Sequence, residues 1–214
     1  TTGVTTINSE SIGGNYACIV YPDTTFDDGN GTVTFTFAGA TRCYMDGEPL
    51  YNVIVNHSSA ELTLNRNTTI ANDLTITAGE AIMAAGKTLT VTGDASVTGT
   101  LTGDDSAISL GTLKIESGGT YTATSGTTTI TSSGYAVWNN GGTLTHSNGL
   151  FNLTDGTSNN KIREDGSGGF YNLTLHGGGG DYVLERGLTV ANDLTITSGE
   201  LDTSGSNYAL TVTG

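Results

Sequence analysis

A long internal repeat constrains the fold of this chain more than any other feature of its sequence. The 31 residues from Leu50 to Glu80 align without a gap on Phe170 to Glu200, at an offset of 120 positions, and 14 of the 31 are identical. Both copies continue, after a few variable residues, into the string LTVTG, at Leu89 to Gly93 and at Leu210 to Gly214. A repeat of this length indicates a modular fold in which similar units stack on one another.

A shorter periodic pattern of apolar residues, which we call apolar anchors, runs through both copies and through the residues between them. Each anchor is a triplet such as Leu74-Thr75-Ile76, whose outer residues share one face while the Thr takes the other, as in a short β-strand. Gly, Asn, Asp and Ser lie between the anchors, where sharp turns need their conformational freedom or their side-chain hydrogen bonds. The pattern predicts short strands and excludes helix almost throughout.

Short strands at this spacing can form hairpins in a sandwich or coil in one direction as a solenoid. Two-residue hairpin turns are hard to find here. A coil with three strands in each turn would use about 20–24 residues, which agrees with the spacing of the apolar anchors. Hydrophobic residues make up only 35% of the chain, which suits the thin interior of a solenoid. We therefore predict an all-β fold, a right-handed parallel β-solenoid over residues 50–214, with Leu74, Ile76, Leu194 and Ile196 inside and Thr75 outside.

The second copy, FYNLTL followed by GLTVANDLTITSGELDTSG and LTVTG, resembles the repeats of very large bacterial adhesin-like and autotransporter-type surface proteins and of β-helical viral fibres. The resemblance covers residues 50–93 and 170–214, and it implies a β-solenoid with a structural or adhesive role. Residues 1–49 depart from the pattern of apolar anchors and contain both prolines, Pro22 and Pro49. We expect this region to be a cap or docking element, with strands at Ala17 to Tyr21 and Val33 to Phe37 that cover an exposed solenoid edge.

The charge of the chain argues against two classes of partner. With 7 basic and 21 acidic residues the formal net charge is −14, which repels nucleic-acid phosphates and anionic membrane surfaces. No apolar run approaches the roughly 18 residues of a membrane span. We therefore expect neither nucleic-acid binding nor membrane insertion.

Two kinds of covalent modification are predicted from the sequence. Cys18 and Cys43 are an isolated pair that we interpret as a disulfide in an oxidising compartment, the alternative being two free buried thiols. Glycosylation is permitted at five Asn-x-Ser/Thr triplets, a number that chance alone would produce in a chain so rich in Asn, Ser and Thr. These triplets begin at Asn30, Asn56, Asn67, Asn152 and Asn172.

The sequence predicts no catalytic, cofactor-binding or metal-binding residue. Three acidic pairs, Asp27/Asp28, Asp104/Asp105 and Glu164/Asp165, lie in Gly-rich segments, and we interpret them as turn-forming acids that accept backbone N–H bonds. Asp27, Asp28 and Asn30 resemble part of a calcium loop but lack its downstream Glu. The histidines have no partner at metal-ligand spacing; they are His57, His146 and His176.

One cluster of aromatic residues has two interpretations. Tyr121, Tyr135 and Trp138 lie close in sequence and could form a sugar-stacking patch on one face of the solenoid, although packing in the core or at a corner is the favoured interpretation.

These features together predict an extracellular structural or adhesive fibre or filament subunit, without catalytic activity, at a cell surface or virion surface. The string LTVTG at Leu210 to Gly214 continues into a further strand where it occurs at Leu89 to Gly93, so we expect the last turn to associate with a further copy or repeat. Surface glycans are possible partners. The alternative function is a carbohydrate-binding or carbohydrate-cleaving β-helix.

Overall fold

The computed structural model describes residues 3–8, 16–20, 26–45 and 49–214. These residues form an all-β, parallel solenoid of about eight turns, as the repeat predicted. They contain no helix, and therefore none that is long and apolar enough to cross a membrane. The right-handed sense of the coil stays a prediction.

Every pairing between the described strands is parallel and joins one turn to the next. Paired residues are separated by as few as 18 positions, from Ala95 to Leu113, and by as many as 28, from Val4 to Thr32. The chain passes through three columns of stacked strands, which we name A, B and C, and visits them in that order in each turn. Six long strands turn a corner and contribute to two columns.

Column A joins strands from the first described turn to the last. Its members are β1 (Val4–Ile7), β3 (Thr32–Phe35), the first parts of β5 (Asn52–Leu64) and β7 (Leu74–Met83), the second parts of β8 (Thr88–Val97) and β10 (Ala107–Ile115), β13 (Tyr135–Asn139), β16 (Asn160–Glu164), and the second parts of β18 (Asn172–Leu184) and β20 (Leu194–Asp202).

Column B contains the second parts of β5 and β7, and a bridge from Phe170 to Val190 carries it to its last two strands. Its other members are β2 (Tyr16–Val20), β4 (Gly39–Met45), β9 (Thr100–Thr102), β11 (Thr120–Thr122), β14 (Thr143–Thr145), β17 (Ser167–Gly168), β19 (Leu188–Val190) and β21 (Leu210–Val212).

Column C contains the first parts of β8, β10, β18 and β20, and begins with a bridge from Leu50 to Ile70. Its other members are β6 (Thr68–Ile70), β12 (Thr127–Ile130) and β15 (Leu150–Leu153).

Alternate side chains of each column point inward and stack in rows along the axis. Because paired residues of parallel strands share a face, one apolar position in each turn is enough to make a continuous row. Each fully buried aliphatic side chain contributes about 1.5–3 kcal/mol to the free energy of unfolding. One inner row of column A consists of Val53, Leu74, Ala95, Leu113, Val137, Ile162 and Leu184, all buried.

Tyr121 belongs to the interior, as the core interpretation predicts, and not to a surface patch with Tyr135 and Trp138. Its side chain is fully buried in column B, and its ring meets that of Phe151 edge to face, with centroids 6.2 Å apart. The Tyr121 hydroxyl and the buried Thr128 hydroxyl are 2.8 Å apart and satisfy each other. Burial raises the pKa of Tyr121 above its ordinary value.

The described strands of residues 1–49 extend the same parallel columns. β3 pairs with β1 on one side and with β5 on the other, and its Val33 and Phe35 are buried. Both edges of β3 are therefore occupied within the chain, so this strand has no edge of its own with which to cover that of a neighbouring copy. Of the candidate Ala17 to Tyr21, residues 17–20 lie in β2, which pairs with β4, and Tyr21 lies outside the described residues. The capping or docking role of this region stays a prediction.

The two cysteines lie directly opposite each other on β2 and β4, where their side chains are joined by a hydrogen bond and lie beyond disulfide distance. The predicted disulfide is not present. In a parallel ladder, opposite side chains point the same way at a spacing of about 4.8 Å, whereas a disulfide brings its Cβ atoms to about 3.8 Å. Cys43 is buried, and its hydrogen bond with Cys18 together with burial raises the pKa of its thiol.

The two copies of the repeat occupy different columns. Leu74 to Ile76 lies in column A, whereas the identical Leu194 to Ile196 lies in column C. The offset of 120 residues is therefore not a whole number of turns, and the second copy is rotated by one column relative to the first.

Candidate functional site

A β-bulge brings two aromatic side chains together on the outer surface of column A. In the pairing of β13 with β16, Tyr135 is opposite Lys161 and Val137 is opposite Ile162, so Ala136 is an extra residue. Ala136 and Val137 are both buried, which leaves Tyr135 and Trp138 on the outside although they are three positions apart. The two rings meet edge to face, with centroids 4.4 Å apart.

The next turn places two cations over these rings. The Arg163 guanidinium lies 4.6 Å from the centroid of Trp138, and the Lys161 ammonium lies 5.0 Å from the centroid of Tyr135. Both distances suit a cation–π contact. Glu185, one turn further on, accepts hydrogen bonds from the Tyr135 hydroxyl at 3.0 and 3.1 Å, and its Oε1 lies 3.0 Å from Lys161 Nζ. The hydrogen bond with Glu185 raises the pKa of Lys161.

A cleft of about 320 Å³ opens on the other side of Trp138. It is lined by Lys114, Glu116, Tyr135, Trp138 and Asn140. Lys114 pairs with Trp138 across the ladder, one turn before it, and its ammonium is bound by Asp94. The aromatic wall, the two polar side chains and the cation make this cleft the candidate functional site.

The pair Glu164 and Asp165 lies at the end of β16, and its two carboxyl groups differ in their surroundings. Asp165 accepts hydrogen bonds from Arg163 and Arg186, each at a shortest distance of 2.5 Å. Glu164 Oε1 accepts one from the buried Asn139 amide at 2.6 Å, while Oε2 is buried without a partner. Burial raises the pKa of Glu164 to about 7. Two of the three side-chain partners of this pair, Asn139 and Arg186, come from other turns.

The other two acidic pairs accept backbone N–H bonds, as the turn interpretation predicts. Asp27 accepts from Gly29 at 2.8 Å, and Asp28 accepts from Asn30 at 3.2 Å and from Tyr51 at 2.6 Å. Asp105 accepts from Gly86 at 2.5 Å. Among the described residues no group of three or more His, Cys, Asp or Glu side chains is placed to hold a metal ion.

Two histidine side chains form hydrogen bonds within local turns, and the third contacts a residue of the following turn. The Nδ1 atoms of His57 and His146 each accept a backbone N–H from the residue two positions on, at 3.2 Å. His176 Nδ1 lies 2.7 Å from the Thr197 hydroxyl of the following turn.

The five predicted glycosylation triplets differ in accessibility. Asn30, Asn56 and Asn67 are exposed, whereas Asn152 and Asn172 are half-buried within strands. The Asn172 carbonyl oxygen accepts a hydrogen bond from the Asn192 amide at 2.8 Å, so its side chain is part of the ladder between turns. Modification at all five positions stays a prediction.

The last turn, residues 194–212, has an uncovered face. Ile196 and Val212 are 46% and 44% exposed, whereas their counterparts in the first copy, Ile76 and Val91, are 0% and 1% exposed. Leu210 is also exposed. Within the described chain no strand stacks on the outer side of this turn, so half of its backbone groups lack a ladder partner.

Sequence reasoning found Tyr135 and Trp138 but missed the residues that complete the site. Lys114, Arg163 and Glu185 come from three other turns, and their positions depend on the register between turns. A usable signal was present, because the chain has only 7 Lys and Arg and four of them fall between residues 114 and 186. Comparison with protein-family models, curated proteins and solved structures found no match to the chain.

Proposed function

We propose that this chain is an extracellular structural or adhesive fibre subunit, without catalytic activity, that associates with further copies of itself end to end. Its place is a cell surface or a virion surface. The solenoid supports a structural role because each turn contacts only its neighbours, so the body can lengthen without a new core.

The observation that supports this proposal is the parallel stacking of similar turns, which presents an apolar edge at residues 194–212 of the described chain. Ile196, Leu210 and Val212 form an apolar edge beside unpaired backbone groups, and such an edge is a template for a further strand. The same side chain types at Ile76, Leu89 and Val91 are covered by the next turn of the chain. A second copy would cover the apolar side chains of the last turn, as residues 94–110 cover those of the first copy.

The opposite end of the solenoid offers the complementary edge. β1 pairs with β3 on one side, and its Val4 is exposed. Joining the last turn of one copy to β1 of the next is a head-to-tail contact, and contacts of this kind build open filaments unless the rotation closes them into a ring. The proposal therefore predicts linear growth.

Sedimentation velocity across a concentration series, with negative-stain microscopy of the same samples, tests this function. We expect concentration-dependent, elongated species in the wild type, and mainly monomer in a double variant, Leu210→Lys with Val212→Lys. The matched control is Thr90→Lys, which adds the same kind of charge to the outer face of a covered strand and should leave association unchanged. A wild type that stays monomeric throughout the series would contradict the proposal.

A further inference from the structure

The outward side chains of column A change in size and chemical type at Trp138. The paired outward positions run from Ser96 through Lys114 and Trp138 to Arg163. Trp138 is the single tryptophan of the chain, and it stands next to turns whose outward residues are smaller or flexible. The cleft of about 320 Å³ lies at this step, and its size falls in the range of small-molecule sites, which is about 300–1,000 Å³.

The two faces of the Trp138 ring have different neighbours. Arg163, in the following turn, covers one face. Lys114 and Glu116 belong to the preceding turn, on the other side. Asp94 binds the Lys114 ammonium and draws it toward the turn before, away from the ring. The indole therefore lines the cleft on the side of Lys114 and Glu116, together with Tyr135, whose ring meets it edge to face.

This arrangement suits a ring that has both an apolar face and polar edges. The C–H face of a pyranose can stack on an indole, as other apolar rings do, while its hydroxyls reach the polar groups at the rim. Glu116 is half-buried and Asn140 is exposed there, and the Asn140 amide nitrogen donates to the Glu116 carboxylate at 3.5 Å. They offer an acceptor and a donor to neighbouring hydroxyl groups.

Charge selects among sugars. Asp94 neutralises Lys114, so Glu116 leaves the rim negative, and the chain as a whole carries a formal charge of −14. A uronate or sulfated sugar would be repelled, whereas a neutral sugar would not.

We propose that the cleft beside Trp138 binds a neutral glycan, with one pyranose ring stacked on the indole surface that lines the cleft and its hydroxyls bonded to Glu116 and Asn140. This deepens the adhesive part of the proposed function by naming a class of ligand. It does not depend on self-association, because the cleft lies several turns from the solenoid ends.

Trp138 reports on its own site, since it is the only tryptophan. We would titrate the protein with hexasaccharides of glucose, mannose, xylose and N-acetylglucosamine, and with a hexasaccharide of galacturonate, and follow tryptophan emission and heat of binding. At least one neutral hexasaccharide should change the emission saturably, and the galacturonate should not.

Variants separate stacking from general stability. Calorimetry should show a loss of affinity of about tenfold or more for Trp138→Ala, and a smaller loss for Trp138→Phe, which keeps a ring under Arg163. Tyr171→Ala is the control, because this half-buried aromatic side chain packs on His146 at another part of the surface and should bind normally. Circular dichroism and a thermal melt establish that each variant is folded.

Three results would overturn the proposal: no response to any neutral hexasaccharide, unchanged affinity in folded Trp138→Ala, or binding of the galacturonate alone. The double variant Leu210→Lys with Val212→Lys should keep the glycan affinity of the wild type. A loss of affinity in that variant would place the binding surface at the solenoid end instead.

Discussion

In the described chain, the two copies of the repeat differ in whether a further turn is stacked on their shared Leu-Thr-Ile strand. Leu74-Thr75-Ile76 and Leu194-Thr195-Ile196 have the same sequence, and both stack on the turn before them. Only the first is covered by a further strand, and only there is the second apolar residue fully buried. The sequence of a solenoid strand thus determines which way its side chains point, whereas the next turn determines whether they are buried.

Contacts with the preceding turn are the same in both copies. The Asn72 amide donates to the Asn52 carbonyl oxygen at 2.8 Å, and the Asn192 amide donates to that of Asn172 at the same distance. The copies differ in a contact with the following turn, because Asp73 Oδ1 accepts the backbone N–H of Asp94 at 2.9 Å, whereas Asp193 has no such donor among the described residues. Matched substitutions in the two copies can therefore separate backward contacts from forward contacts.

The largest difference between the copies is expected for a charge at the second apolar position. Ile76→Asp should lower the free energy of unfolding by more than about 4 kcal/mol, because it buries an unpaired carboxylate. Ile196→Asp should cost less than about 1 kcal/mol, because the carboxylate reaches water. Denaturant unfolding at low protein concentration measures both, with Thr75→Asp on the outer face as the control. Equal losses at positions 76 and 196 would contradict the comparison.

Covering the last turn should make the second copy resemble the first. We expect a chain extended after Gly214 by a copy of residues 94–115 to gain a few kcal/mol of stability, since these residues cover Leu74, Ile76, Leu89 and Val91 in the first copy. Differential scanning calorimetry would show the gain as a higher midpoint. An extension of the same composition in scrambled order is the control, and an equal midpoint for both chains would count against stacking.

A hydrogen bond to the following turn should contribute to stability in one copy only. Asp73→Ala leaves the Asp94 N–H without its acceptor and should cost about 1–2 kcal/mol. Asp193→Ala should cost less, because in the described chain no turn lies beyond Asp193 to donate to it. Chemical denaturation of the two variants gives the difference, and a larger loss for Asp193→Ala would be inconsistent with this account.

The smallest difference in stability between the copies is expected when a contact with the preceding turn is removed. Asn72→Ala and Asn192→Ala each remove one amide hydrogen bond to the preceding turn, and each should cost about 0.5–1.5 kcal/mol. The two losses should agree within the error of the unfolding measurement. A clear disagreement would show that the copies differ in more than the presence of a following turn.

The sequence predicted the solenoid because the alternation of apolar and polar residues specifies which side chains of each strand point inward. Leu74 and Ile76 are inside and Thr75 is outside, as the triplet required. Ile196 was predicted inside on the same pattern and is largely exposed, because no local pattern reveals whether a further turn follows.

The candidate site shows a different limit of sequence reasoning. Trp138 and Tyr135 share a face only because Ala136 forms a bulge, and an alternating pattern predicts the opposite. Their partners Arg163 and Glu185 lie 25 and 50 positions away from Trp138 and Tyr135 respectively. Turn lengths vary along the chain, so the register that brings these side chains together could not be counted from the sequence.

Hydrogen exchange followed by mass spectrometry, at low and at high protein concentration, tests the central claim most directly. The amides of residues 74–91 should be protected at both concentrations, because turns cover them on both sides. The amides of residues 194–212 should exchange rapidly in dilute protein and become protected in concentrated protein, as a second copy covers the last turn. Protection of residues 194–212 that is the same at both concentrations would contradict the account.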